Sequence, residues 1–135
     1  MARLIDASVF IELERSGRPL GVIAAGALTE SHAIASITAT ELLFGVERAN
    51  TPERRLRRSE FIETILNTIP VVSLDVAIAR VQARLWATLE GSGAGIGLYD
   101  LIAAASALVL GLDVLTFNVR EFERVPGLGV IKPEW

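Results

Sequence analysis

The chain predicts an α/β fold: one domain over residues 1–135, with a mainly parallel sheet of four to five strands in a three-layer α/β/α arrangement. Two observations predict it. Short runs of branched aliphatic residues alternate along the chain with longer runs of helical periodicity. That alternation is the pattern of a parallel sheet covered on both faces. No internal repeat and no linker divides the 135 residues, which is enough chain for one real core.

The elements follow in order. "RLIDASV" reads as a short buried strand, and "VFIELERS" as the helix after it. "PLGVIAAGALTES" reads as a second helix starting at Pro19, a favoured first helical position. "HAIASI" is the second strand. "TATELLFGVERA" is an amphipathic helix with Leu42, Leu43 and Val46 on one face, and its "TATE" fits a capping box with Thr38 as the cap. "TPERRLRRSEFIETILNTI" opens with a Thr-Pro helix start and runs to Pro70. "PVVSL" is the third strand. "DVAIARVQARLWATLEG" is a helix capped by Asp75, with Val76, Ala79, Ala83 and Trp86 on one stripe. The glycine-rich "GSGAGIG" reads as a flexible connection; it lacks the Gly-Lys-Ser/Thr ending of a phosphate loop. "LYDLIAAASALVLG" is an alanine-rich helix ended by Gly111. "DVLTFN" is the fourth strand and "LGVIKP" a short fifth.

Composition narrows the chemistry. There is no Cys, so disulfides, thiolate-bound zinc and thiol catalysis are excluded. A single His, His32, cannot build a multi-histidine metal site. The net charge of −3 argues against nucleic-acid binding through overall charge but leaves room for a local basic groove. The 51% hydrophobic content and mean hydropathy of +0.46 imply a dense core and an apolar surface that a partner covers. No signal peptide stands out, and the apolar run between Asp100 and Asp113 is too short to span a bilayer. The cytoplasm is the expected location, without a membrane partner. Lys132 is the only lysine; every other basic side chain is arginine, whose planar fork suits phosphate or an acidic partner.

In open parallel sheets the binding crevice lies beyond the carboxyl ends of the strands. Asp6 falls at the end of the first strand, and Glu41 one turn into the helix after the second. Asp100 opens the alanine-rich helix, Asn118 ends the fourth strand, and Glu121 follows it. Carboxylates gathered in one crevice repel at low dielectric, and a hard divalent cation resolves the repulsion. Each also has a structural alternative: Asp6 as a helix cap aided by Ser8, Glu41 in the capping box, Asp100 favoured by the helix dipole, Asn118 in a turn, Glu121 as a solvated charge. Their joint placement at one edge favours the metal reading.

"LIDASVFIE", "TATELLFGVERA", "GIGLYDLIAAASAL" and "VLTFNVREFERVPGL" resemble, in order and over essentially the whole chain, the four motifs of PIN-domain ribonucleases, most closely the VapC toxins of toxin–antitoxin pairs. The resemblance implies a parallel sheet with the first strand central. It also implies an endoribonuclease that uses one or two Mg²⁺ or Mn²⁺ ions and leaves a 5′-phosphate and a 3′-hydroxyl. It places the acids on Asp6, Glu41 and Asp100, with Glu121 as the fourth. Ser8, Thr38, Thr116 and Asn118 become the polar support around them. Phe117 stands where the family often has a polar residue. The resemblance further implies a homodimer and a VapB-type antitoxin as partner.

Arg54, Arg57 and Arg58 share a helix face near a helix start, where positive charge opposes the dipole, and are candidates for RNA phosphates; the alternative is a solvated face paired with Glu60 and Glu63. Trp86, Phe10 and Phe44 are expected in the core or at a dimer surface. Two other functions compete: a catalytically silent binding module of the same fold, and a phosphotransfer domain. The latter commonly needs a second acid two residues after the first, where this chain has Ser8.

Overall fold

The computed structural model describes residues 2–21, 32–93 and 95–135. Among the described residues there are five strands: β1 (Arg3–Ile5), β2 (His32–Ala35), β3 (Val71–Val72), β4 (Asp113–Leu115) and β5 (Val130–Ile131). They form one sheet in the order β3-β2-β1-β4-β5, with every neighbouring pair parallel. The first strand is therefore central. Leu4 faces Val114 in register and Ile5 faces Leu115.

Side chains alternate along these strands, and the alternation splits the core in two. Leu4, Ala35 and Val114 enter one cluster, while Ile5, Ile34 and Leu115 enter the other. The first face is covered by α4 (Val76–Ser92) and α5 (Leu98–Leu110), and the short α6 (Val119–Phe122) adds Phe122 to it. The second is covered by α1 (Ala7–Ser16), α2 (Ser36–Glu47) and α3 (Pro52–Thr68). The helix expected from Pro19 falls mostly at 22–31, outside the described residues.

Local chemistry starts and stops the helices. Thr51 Oγ1 accepts from Arg54 N at 3.1 Å ahead of Pro52, and Asp75 Oδ1 accepts from Ile78 N at 2.9 Å. Gly111, at φ 68°, closes α5 in the left-handed conformation that glycine adopts without steric cost. The alanines of α5 let it lie close to the sheet: Ala103, Ala104, Ala105 and Ala107 are all buried.

Several expectations need correction. The first strand stops at Ile5, because Asp6 already caps α1. The capping box with Thr38 does not form: the helix cap falls three residues earlier, at Ala35, which has no side-chain cap bond, and α2 begins at Ser36. The strand-to-helix turn comes where β2 ends, and Thr38 is carried inside the first turn. On α2, Leu42 and Val46 are buried but Leu43 is exposed. The stripe of Val76, Ala79, Ala83 and Trp86 faces outward; α4 buries Ile78, Leu85 and Leu89 instead. Apolar residues occupy two sides of that helix, and the side with the longer aliphatic chains takes the core.

Candidate active site

Asp6, Glu41, Asp100 and Glu121 come from four elements, and all lie toward the carboxyl edge of the sheet. Asp6 follows β1 directly and is 4% exposed. Burial of a carboxylate is costly unless donors satisfy it, and here three reach one oxygen. Oδ2 accepts from Ser8 Oγ at 2.7 Å, Thr116 Oγ1 at 2.8 Å and Ser8 N at 3.4 Å. The two hydroxyls are oriented in turn. Phe117 N donates to Ser8 Oγ at 3.1 Å and Asn118 N donates to Thr116 Oγ1 at 2.8 Å. Each hydroxyl thus accepts from the main chain after β4 and gives its single proton to Asp6. All of these bonds fall on Oδ2, and Oδ1 receives none of them.

Glu41 sits on α2, half-buried. Its carboxyl is pushed up to about 7, first by burial, then by the negative charges of Asp6 and Asp100. Asp100 lies in the first turn of α5, behind Gly97 at the N-cap. Burial, Asp6 and Glu121, in that order, push its carboxyl up to about 6. Glu41 and Asp100 therefore both feel the charge of Asp6, and Asp100 also feels Glu121. Glu121, on α6, has Oε1 3.7 Å from Arg124 Nη1, while its Oε2 is buried without a partner. Among the described residues, no three acidic or histidine side chains form a ready-made metal cage. What joins the four is field, not contact.

The supporting residues divide. Ser8 and Thr116 hold Asp6 directly. Asn118 acts through its main-chain N–H. Thr38 is fully buried one turn before Glu41, and its Oγ1 has no partner; it supports none of the acids by a hydrogen bond. Phe117 packs its ring edge-to-face on Trp135, with centroids 6.3 Å apart.

The three arginines also divide. Arg58 is engaged by the fold, donating from Nε to Glu14 Oε1 at 3.0 Å and from Nη1 to the Gly45 carbonyl at 2.9 Å. Glu14, not Glu60 or Glu63, is its ion-pair partner. Arg54 donates to Asn50 Oδ1 at 3.0 Å and Arg57 is exposed. All three line a groove between α1 and α3, and Glu14 and Arg58 also border a smaller pocket that contains Glu41. His32, the lone histidine, lies on β2 at the amino edge, away from the acids; its imidazole pKa is lowered by burial and then by Arg3. Sequence reasoning missed Glu14, which lies outside the motifs, and Arg124, which lies inside the fourth but whose contact with the Gly95 carbonyl is 29 residues away along the chain.

Comparison with known proteins identifies the family and the fold. The PIN domain family model matches residues 3–128. Ribonuclease VapC1 of Rickettsia felis is 32% identical over 133 residues, covering 97% of this chain and 96% of that protein. The chain belongs to the VapC ribonucleases of the PIN-domain family. A tRNA(fMet)-specific endonuclease VapC of Salmonella typhimurium is 36% identical over 102 residues, 76% of this chain and 75% of that one. The crystal structure of DNA-bound VapBC from Salmonella typhimurium contains a chain that superposes with a TM-score of 0.83 at 30% identity, covering 98% of each. The three-layer fold with its parallel five-stranded sheet is thus the VapC architecture. Among the described residues, no helix is long and apolar enough to cross a membrane.

Proposed function

We propose that this VapC chain is the toxin of a toxin–antitoxin pair and cleaves RNA with Mg²⁺ or Mn²⁺ held by Asp6, Asp100, Glu41 and Glu121. The observation that carries the reading is Glu121 Oε2: a carboxylate oxygen buried without a partner, on a residue whose charge reaches Asp100. A buried, unpaired anionic oxygen is costly in isolation and natural beside a cation. The donor set fits a hard ion. All four groups are carboxylates, and Asp6 keeps Oδ1 clear of the hydrogen bonds that fix Oδ2. Magnesium commonly binds through one or two carboxylates and keeps its waters, so a tight protein cage is not required.

When bound, one or two such ions supply Lewis acidity to the phosphate and acidify water. The chain's own residues do the rest. Ser8 and Thr116 lock the Asp6 carboxylate in one orientation. Asp100 is fixed by the first turn of α5. Glu41, whose carboxyl titrates near neutrality without a cation, orients the attacking water. Water adds to phosphorus as the bond to the 3′-oxygen breaks, which leaves a 5′-phosphate and a 3′-hydroxyl.

The partners belong to the same reading. The related Salmonella structure is a VapBC complex, which supports a VapB-type antitoxin here. A homodimer would cover apolar surface such as Trp86, 55% exposed, and Val76, 66% exposed. Arg54 and Arg57 are free enough to meet RNA phosphates; Arg58 is committed to Glu14.

The test uses purified protein and a structured RNA with Mn²⁺, with and without chelator, beside Asp100→Asn. Cleavage should vanish with chelator and fall at least about a hundredfold in the variant. Cleavage that survives both treatments would sink the metal reading, and RNA left intact by the wild type would favour a silent binding module.

A further inference from the structure

Arg124 ties together the two chain segments that deliver Asp100 and Glu121. Its Nη1 donates to the Gly95 carbonyl at 2.6 Å and lies 3.7 Å from Glu121 Oε1. Gly95 belongs to the stretch leading into α5, with Gly97 at the helix N-cap and Asp100 in the first turn. Glu121 lies on α6, one turn before Arg124. One guanidinium group thus spans both approaches to the acidic site.

The root of that side chain is fixed. Phe122 and Val125, on either side of it in sequence, are 0% and 3% exposed, and both belong to the core cluster under α4 and α5. On the loop side, Ile96 packs against the same cluster beside the bonded Gly95 carbonyl. The loop needs such a clamp. Glycines at 93, 95 and 97 give it large backbone freedom, and nothing within 4 Å would crowd a Cβ at Gly95. The bond is open to solvent, and its charged donor makes it stronger than a neutral one in the same place.

We infer that Arg124 is a positioning residue for the nuclease reaction, setting the spacing of Asp100 from Glu121 by holding the Gly95 carbonyl. The inference rests on the metal-nuclease reading above. An arginine beside a nuclease site invites a different assignment, contact with an RNA phosphate. The two assignments separate in the kinetics, because a phosphate contact made equally in ground and transition states changes KM, whereas misplacement of reacting groups changes kcat.

The experiment compares wild type, Arg124→Met, Arg124→Lys and Asp100→Asn. It measures kcat and KM on a short RNA with Mn²⁺, Mn²⁺ binding without RNA, and Tm. Arg124→Met should lower kcat about tenfold and weaken Mn²⁺ binding, with KM within about twofold. Tm should move little. Arg124→Lys, which keeps a cationic donor, should recover part of kcat; it carries the same test were the Met variant unable to fold. A kcat within twofold of wild type, or a change confined to KM, in a folded variant overturns the inference. An inactive Asp100→Asn beside a fully active Arg124→Met would sink the Arg124 role alone. An active Asp100→Asn would sink the reading on which it rests.

Discussion

Asp6 shows how a single residue can be both cap and ligand candidate. Its backbone starts α1, its Oδ2 is held by two hydroxyls, and Oδ1 is left over. Each hydroxyl oxygen accepts from a main-chain N–H, and its proton goes to Asp6 Oδ2, at 2.7 and 2.8 Å, in preference to the neighbouring hydroxyl at 3.3 Å. Removing either should loosen the carboxylate without opening a large cavity. Ser8→Ala and Thr116→Val should each cost about 1–3 kcal/mol, as hydrogen bonds to charged groups do, and lower cleavage about tenfold or more. Tm and RNA cleavage measured on the same preparations check this. Thr38 gives the contrast. Its Oγ1 is buried with no partner, so Thr38→Val exchanges an unsatisfied hydroxyl for a methyl of the same shape. That variant should be as stable as wild type or more so and keep its activity; a loss of activity would restore Thr38 to the support of the acids. The sequence made Ser8 and Thr116 visible through their neighbours in motif order. It could not separate them from Thr38, because a hydroxyl's partner depends on where β2 turns into α2.

Whether an element was legible depended on how local its cause is. Thr51, Asp75 and Gly111 mark helix ends by chemistry that acts within four residues, and the structure uses all three. The parallel sheet was legible too, since alternating elements force it, whereas the central place of β1 followed only from the family resemblance. The buried face of α4 was not. Two apolar rows run along it, and only packing against α5 and the sheet decides between them. α6 is a single turn, too short to show a period. The choice of face on α4 has a measurable consequence. Leu85→Ala should destabilise by about 2–4 kcal/mol, the usual cost of an emptied leucine site. Trp86→Ala, one residue on, should cost the monomer under about 1 kcal/mol, because Trp86 is 55% exposed. Urea unfolding of both variants at a concentration where the protein is monomeric settles the order; equal losses would mean that α4 is rotated from its place here.

At the scale of the molecule, the fold gathers negative charge at one end and bears the cost. The sheet rule was enough to bring Asp6, Glu41 and Asp100 to one edge, because strand ends are fixed by topology. The strength of their coupling was not legible, because it depends on burial and on separations that only the packed helices set. That coupling makes stability depend on pH. Glu41 is raised from 4.5 to about 7 and Asp100 from 3.8 to about 6. A carboxyl whose folded value is raised holds a proton that the unfolded chain would release. Its favourable contribution is fully present below the ordinary carboxylate range and is lost as pH climbs through the folded value. The cation-free protein should therefore be less stable at pH 8 than at pH 5, with the loss spread over the interval in which first Asp100 and then Glu41 ionise. Both groups are half-exposed, so solvent screening keeps the effect to a few degrees of Tm, about 2–5 °C. Mn²⁺ should reverse it: a dication binds the ionised carboxylates, so it should raise Tm at pH 8 and have little effect at pH 5, where protons compete. Asp6→Asn removes a negative charge that raises both groups, and it should flatten the pH profile and blunt the response to Mn²⁺. Thermal melts at the two pH values, with and without the ion, measure all of this. A Tm that Mn²⁺ leaves unchanged at pH 8 would mean that the acids share a field but not an ion.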